Sequence, residues 1–400
     1  MGSPPIPLAE AQARLLALAE PLAPEELVLD RALHRYLAEP LIARRTQPPA
    51  DLSAMDGYGV RGDDLIGPWT VIGESAAGHP FSGELTPGQA VRISTGAAMP
   101  ETARAVLLQE NATRDGEHLA LNGDDGPSSG HIRRAGFDFR EGDMLLGAGT
   151  RLGPAQLALA ISGGHASASV HGLPALAVLD NGDELAADPA NCAPGQIPAS
   201  NGAMLAAMAS PHVATVLRLG PIPDRLDAMV SALEQASDAD VIVTSGGASV
   251  GDHDLVRPAI AAWGATIDFW RVAIKPGKPL LVACKGKQIV LGLPGNPVSS
   301  FVTAQLFLLP LLRKLGGALE PLPRMIDALL DGTLPPGGAR MEFQRAQWRN
   351  GRLRPISEQD SSALRALAAA EALIERPIGA PPASDGDPVR AYLLDNGGIA

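Results

Sequence analysis

The spacing of apolar positions changes along the chain and divides it into stretches of different texture. Residues 8–20 and 25–38 carry Leu and Ala at helical spacing with charged residues between them, which predicts two helices. From about residue 44 to residue 140 the pattern shortens into strand-length pieces cut by Gly and Pro, at 69–73, 90–94 and 105–110. Residues 116–130 read as a hairpin and an exposed loop, and 154–162 predicts a further helix that rejoins the first two. The β-rich part is therefore expected as an insertion into a helical module.

From about residue 173 the rhythm is strand, loop, helix, repeated. Residues 175–179, 213–219 and 240–244 are apolar runs of strand length, and 201–209, 224–236 and 256–263 have helical spacing. This alternation predicts an α/β domain with a mostly parallel sheet, helices on both faces and ligands outside the carboxyl ends of its strands. The apolar stretch 301–315 is broken by Thr303, Gln305, Pro310 and Arg313, so it is expected as a buried helix and not a membrane span. Beyond Gly317, strand-like pieces at 325–330, 340–348 and 353–356 and a helix at 362–372 predict a small separate β-domain. The expected divisions are 1–43 with 141–172, 44–140, 173–317 and 318–400.

Composition narrows the functional classes. A chain of 400 residues exceeds one compact core, and 46% hydrophobic with 19% charged residues fits a folded protein. The net charge of -12 argues against nucleic-acid binding, yet a few focused lysines can still make a local positive well. Cys192 and Cys284 stand far apart without a paired-cysteine motif, so neither a disulfide framework nor a thiolate metal cage is expected. No basic start followed by an apolar stretch is visible, and a cytoplasmic location is expected.

In the α/β part, turns rich in Gly follow the strands: Asp180-Asn181-Gly182-Asp183-Glu184-Leu185, then Ser245-Gly246-Gly247-Ala248-Ser249-Val250-Gly251-Asp252-His253-Asp254. Ile274-Lys275-Pro276-Gly277-Lys278-Pro279 and Gly292-Leu293-Pro294-Gly295-Asn296-Pro297 come later, the last leading into a helix. Glycines let backbone N–H groups approach an anion, a helix N-terminus adds partial positive charge, and the paired lysines add full charges. These turns are expected to converge on an anion cradle. Carboxylates gather at the same places, and beside a phosphate they belong with a divalent cation or a proton transfer. Asp183 and Asp224 are expected as helix caps, with Glu184 and Asp254 as the better Mg²⁺ ligands. His165 and His171 read as structural and His253 as incidental.

Two segments of the β-rich part, Ser53-Ala54-Met55-Asp56-Gly57-Tyr58 and Ser94-Thr95-Gly96-Ala97-Ala98-Met99-Pro100, identify no function by themselves. Taken with Ile132-Arg133-Arg134 and the four turns above, they stand in the order found in the molybdopterin molybdenumtransferases, the bacterial MoeA proteins and the gephyrin E-domain. The chain resembles that family from about residue 50 to 315. Asp180 stands where the family usually has Ser, and Ala199-Ser200 lacks a carboxylate common before Asn201.

The resemblance implies a multidomain α/β protein. Its central domain would be like that of MogA, beside a helical module, an inserted β-rich domain and a C-terminal small β-barrel-like domain. It implies an Mg²⁺-dependent enzyme that converts adenylylated molybdopterin and molybdate into molybdenum cofactor and AMP. It further implies a homodimer whose site is completed by Asp56 and Thr95 of the partner subunit, with Glu184, Asp224 and Asp254 as acidic groups and Lys275 and Lys278 as cationic ones. Arg133, the 245–251 glycine turn and Pro294, Gly295, Asn296 and Pro297 would bind the pterin substrate. Expected partners are a molybdopterin adenylyltransferase and downstream molybdoenzyme maturation proteins. Adenylyltransferase activity, or a carrier or scaffold role, stands as the alternative.

Overall fold

The computed structural model describes residues 5–246 and 255–394. Gly247, Ser249, Gly251, Asp252, His253 and Asp254, singled out by the sequence, lie outside the described residues.

The α/β domain is built on a sheet of six strands in the order Thr215–Ile222, Ala175–Asn181, Val241–Ser245, Gln288–Leu293, Leu281–Lys285, Thr266–Trp270. The first four in that order run parallel and the last two pairings are antiparallel, so the sheet is mixed at one edge. Its central strands are nearly continuous apolar runs because both faces are covered. One face packs on the helices Leu226–Gln235 and Val256–Ala262, through Met229, Leu233 and Ile260. The other packs on Asn201–Ala209 and on the long helix Pro297–Leu315, through Leu205, Phe307 and Leu311. That long helix is apolar enough to cross a membrane by composition, but most of it is buried inside the protein. It widens to a π-helical turn at Ala304–Leu308, where Gln12 Nε2 donates to the Leu306 carbonyl at 2.9 Å.

The N-terminal segment departs from its expected form. Helix Leu8–Ala17 forms, but its stripe of Leu8, Ala11 and Leu15 packs into the α/β core and not against the other helix of the helical module. Residues 25–38 are not helical: strand Pro24–Val28 pairs antiparallel with Ser167–His171 and a single 3₁₀ turn follows. Pairing with a distant strand outweighs a weak local helix preference, and Leu29, Ala32 and Leu37 are buried against Leu152 and Val170 instead. Helix Pro154–Ser162 lies beside them.

The β-rich part is a sheet of six strands, with Gly57–Arg61 between Gln89–Ile93 and Ala103–Leu108. Beyond residue 324 the strands Met325–Leu329, Met341–Arg349, Arg352–Pro355, Ala372–Arg376 and Pro388–Leu393 form one sheet, and a bridge from Leu330 to Leu353 brings its first strand back to its edge. The helix expected at 362–372 shrinks to Leu364–Ala368. Ile274–Lys275 leaves the α/β domain to pair with Met341–Arg349.

Candidate active site

The chain passes from strand Ala175–Asn181 outward to one neighbour, then returns to Val241–Ser245 on its other side. At such a switch point the carboxyl ends of the two strands leave a crevice. Here it is a cavity of about 540 Å³ lined by Asp180, Asn181, Glu184, Ser245, Gly246 and Asn201, and by Gly295, Asn296 and Pro297.

Short bonds hold its walls. With its amide oriented to donate, Asn181 reaches the carbonyls of Ser245 at 3.1 Å and Gly246 at 3.3 Å. Asn201 Nδ2 donates to the Gly295 carbonyl at 2.7 Å, tying one helix N-terminus to the turn that begins the next. Asn296 Nδ2 donates to Ser361 Oγ at 2.8 Å, and the Val298 amide to the Ser361 carbonyl at 3.0 Å. The loop carrying Ser361 is itself pinned by the buried Arg345, whose guanidinium donates to the carbonyls of Asp360 and Ala363.

Asp180 lies at the floor, 5% exposed, with Oδ1 lacking a hydrogen-bond partner and Oδ2 4.0 Å from Arg218. Burial pushes its carboxyl above the ordinary range, against the pull of Arg218 and the Gly202 amide. Ser245 Oγ, on the same lining, is likewise buried with no hydrogen-bond partner among the described residues. Unsatisfied polar atoms beneath a cavity are positions that a polar ligand or water can satisfy.

Asp183 and Asp224 do not cap helices as expected. Each accepts the other's backbone N–H, bracing two turns, and helix Leu226–Gln235 begins at Arg225 without a side-chain cap. Both remain exposed, as does Glu184.

The lysine turn does not join this cavity. Lys275 and Lys278 line a neighbouring one of about 760 Å³ with Arg340, Glu342 and Ser361, between the α/β and C-terminal domains. The Asn296–Ser361 bond therefore stands between the two cavities. Lys275 Nζ lies 3.3 Å from Glu342 Oε1, and Arg340 is held by the Ile274 carbonyl at 3.2 Å. Gly277 has φ +105°, and a Cβ there would sit 2.6 Å from Thr303 Cγ2, so the turn that spaces the lysines needs glycine.

The β-rich domain brings its three motif segments together. Ser53 pairs with Ile132, its amide donates to the Ala97 carbonyl at 2.9 Å, and its carbonyl accepts from Gly96 at 2.8 Å. Asp56 Oδ1 accepts from the Thr95 amide at 2.7 Å and its hydroxyl at 3.1 Å, which with Arg92 holds the carboxyl below the ordinary range. Arg133 is exposed on the strand beside Leu52. Asp56, Thr95 and Arg133 line neither cavity.

Comparison with known proteins decides the family. The MoeA N-terminal region (domain I and II) matches residues 6–164, the probable molybdopterin binding domain 177–314, and the MoeA C-terminal region (domain IV) 327–394. The molybdopterin molybdenumtransferase of Haemophilus influenzae is 36% identical over 84% of this chain and 85% of its own. The chain belongs to the MoeA family. Its relative of the same name in Bacillus subtilis is 34% identical over 98% of this chain and 94% of its own. The crystal structure of a molybdopterin biosynthesis MoeA protein from Pyrococcus horikoshii superposes with a TM-score of 0.84 at 28% identity, covering 98% of this chain and all of that one.

In this MoeA protein, some residues that line the two cavities had no sequence signal. Arg340 and Glu342 carry no spacing signal, because each meets Ile274–Lys275 only through the fold. Asn201 was readable only as the start of a helix.

Proposed function

We propose that this protein is a molybdopterin molybdenumtransferase, which takes adenylylated molybdopterin and molybdate and gives molybdenum cofactor and AMP. The observation that carries the reading is the pair of adjoining cavities divided by Asn296 and Ser361: one at the switch point with Asn181, Ser245 and Asn201 among otherwise largely apolar walls and a helix N-terminus, the other with Lys275, Lys278 and Arg340. The first suits the pterin and its pyrophosphate link, through Asn181, Ser245 and the backbone amides of Gly295 and Asn296 at the start of the helix Pro297–Leu315. The second suits the molybdate oxyanion, a fixed charge set matching a tetrahedral dianion. Ser361 stands where the two substrates would meet.

Magnesium fits the carboxylate edge. It requires only one or two carboxylates beside phosphate oxygens and water, and Asp183, Glu184 and Asp224 present exposed oxygens there. When bound, the ion would offset charge on the adenylate phosphates as the phosphoanhydride breaks. The chain's own groups would hold the two anions at a set separation.

Asp56, Thr95 and Arg133 line neither cavity of their own chain, which supports a homodimer in which they complete the partner's site. A cytoplasmic location accords with a substrate delivered by another pterin-handling enzyme. Cofactor formation measured in Asp56→Ala, Glu184→Ala and Lys275→Ala tests the site. Loss in each supports the reading, and full activity in all of them overturns it.

A further inference from the structure

A larger cavity, of about 840 Å³, lies away from both of these, where several parts of the chain meet. Tyr36 and Arg151, joined by a backbone bridge, form one wall, and His212 and Arg313 of the α/β domain form another. Its charge is one-sided. Among the described residues, the charged or titratable neighbours acting on Arg313 are the Tyr36 phenol and the Arg151 guanidinium, with no carboxylate among them. The carboxylate on the lining, Glu320, faces Arg324 at 4.0 Å.

Burial, then Arg313, Arg151 and His34, push the His212 imidazole down to about 4. Arg313 itself is desolvated and makes one long bond, 3.4 Å, to the Pro321 carbonyl. Like charges gathered in a partly buried space without a counter-ion are unfavourable. Among the described residues no carboxylate other than Glu320 lines the cavity, although the chain's net charge is -12. A bound oxyanion would supply the counter-charge, accepting from both guanidinium forks, with the Tyr36 hydroxyl as a further donor.

We propose that this junction cavity binds a small phosphate-bearing anion, clamped between Arg151 and Arg313. The helices Asn201–Ala209 and Pro297–Leu315 begin at the candidate active site and run toward this cavity. The proposal does not depend on the catalytic reading.

The test is a calorimetric titration of the full chain with inorganic phosphate, against chloride at matched ionic strength. It is run in a Lys275→Ala/Lys278→Ala background, which weakens the other cationic cavity, and the Arg151→Gln comparison separates the junction cavity from any binding at the candidate active site. Saturable binding is expected there, weakened about tenfold or more by Arg151→Gln, since one charge-assisted bond is worth that much. NMR titration should show phosphate raising the His212 pKa. Arg151 is exposed, so its replacement leaves the fold intact. Absence of saturable binding in the lysine background, or binding unchanged by Arg151→Gln, overturns the proposal.

Discussion

Asp183 and Asp224 brace each other beside the candidate site: the Asp224 amide donates to Asp183 Oδ1 at 3.1 Å, and the Asp183 amide to Asp224 Oδ2 at 3.3 Å. Two carboxylates held together by backbone bonds favour a nearby cation. Asp224→Asn keeps the acceptor and removes the charge. It should melt close to the parent yet need about tenfold more Mg²⁺ for half-maximal cofactor formation. Asp224→Ala should lose the brace as well. An Mg²⁺ titration checks this, and an unchanged requirement in Asp224→Asn would contradict it.

Asp180 makes a pH-dependent contribution to stability. Its folded-state carboxyl is raised above the ordinary value of an unfolded aspartate by burial. The folded state thus favours the protonated form, so the contribution is complete below that value and is lost as pH rises through the raised one. Asp180→Asn should be more stable than the parent at pH 7, by on the order of 1 kcal/mol. Thermal melts at stepped pH should show the gap closing in acid; a gap that widens there would count against the assignment.

Gly202 makes room for that carboxylate, because a Cβ at this helical position would lie 2.0 Å from Asp180 Oδ2. Replacing a helical glycine by alanine usually stabilises. Here Gly202→Ala should destabilise by roughly 1–3 kcal/mol, as overpacking does. Denaturant melts of the double variant with Asp180→Ala should recover most of the loss; additivity would show that the two positions do not meet.

A site shared between subunits predicts complementation. Asp56→Ala and Lys275→Ala should each be inactive alone. Mixed and re-equilibrated as dimers, they should recover about a quarter of parental activity, since half the dimers would carry one intact site. No recovery, with exchange confirmed by native mass spectrometry, would place both residues in one subunit's site.

The α/β alternation was legible because strands buried on both faces must be apolar runs, as at Val241–Ser245. Helices Pro154–Ser162 and Asn201–Ala209 were readable from spacing alone. Residues 25–38 misled because their leucines fit a helix while strand Pro24–Val28 is chosen by Ser167–His171, far along the chain. The separate lysine cavity was illegible for a related reason: Ile274–Lys275 joins the C-terminal sheet through Met341 and Glu342, which no local pattern announces. The place of Asp180 against Gly202 likewise depends on folding, not spacing.

The proposed transfer couples the two adjoining cavities. AMP release from adenylylated molybdopterin by the purified protein, with and without low molybdate, measures it most directly. Release should depend on molybdate and be lost in Lys275→Ala/Lys278→Ala. Tight pterin binding without molybdate-dependent AMP release would contradict it.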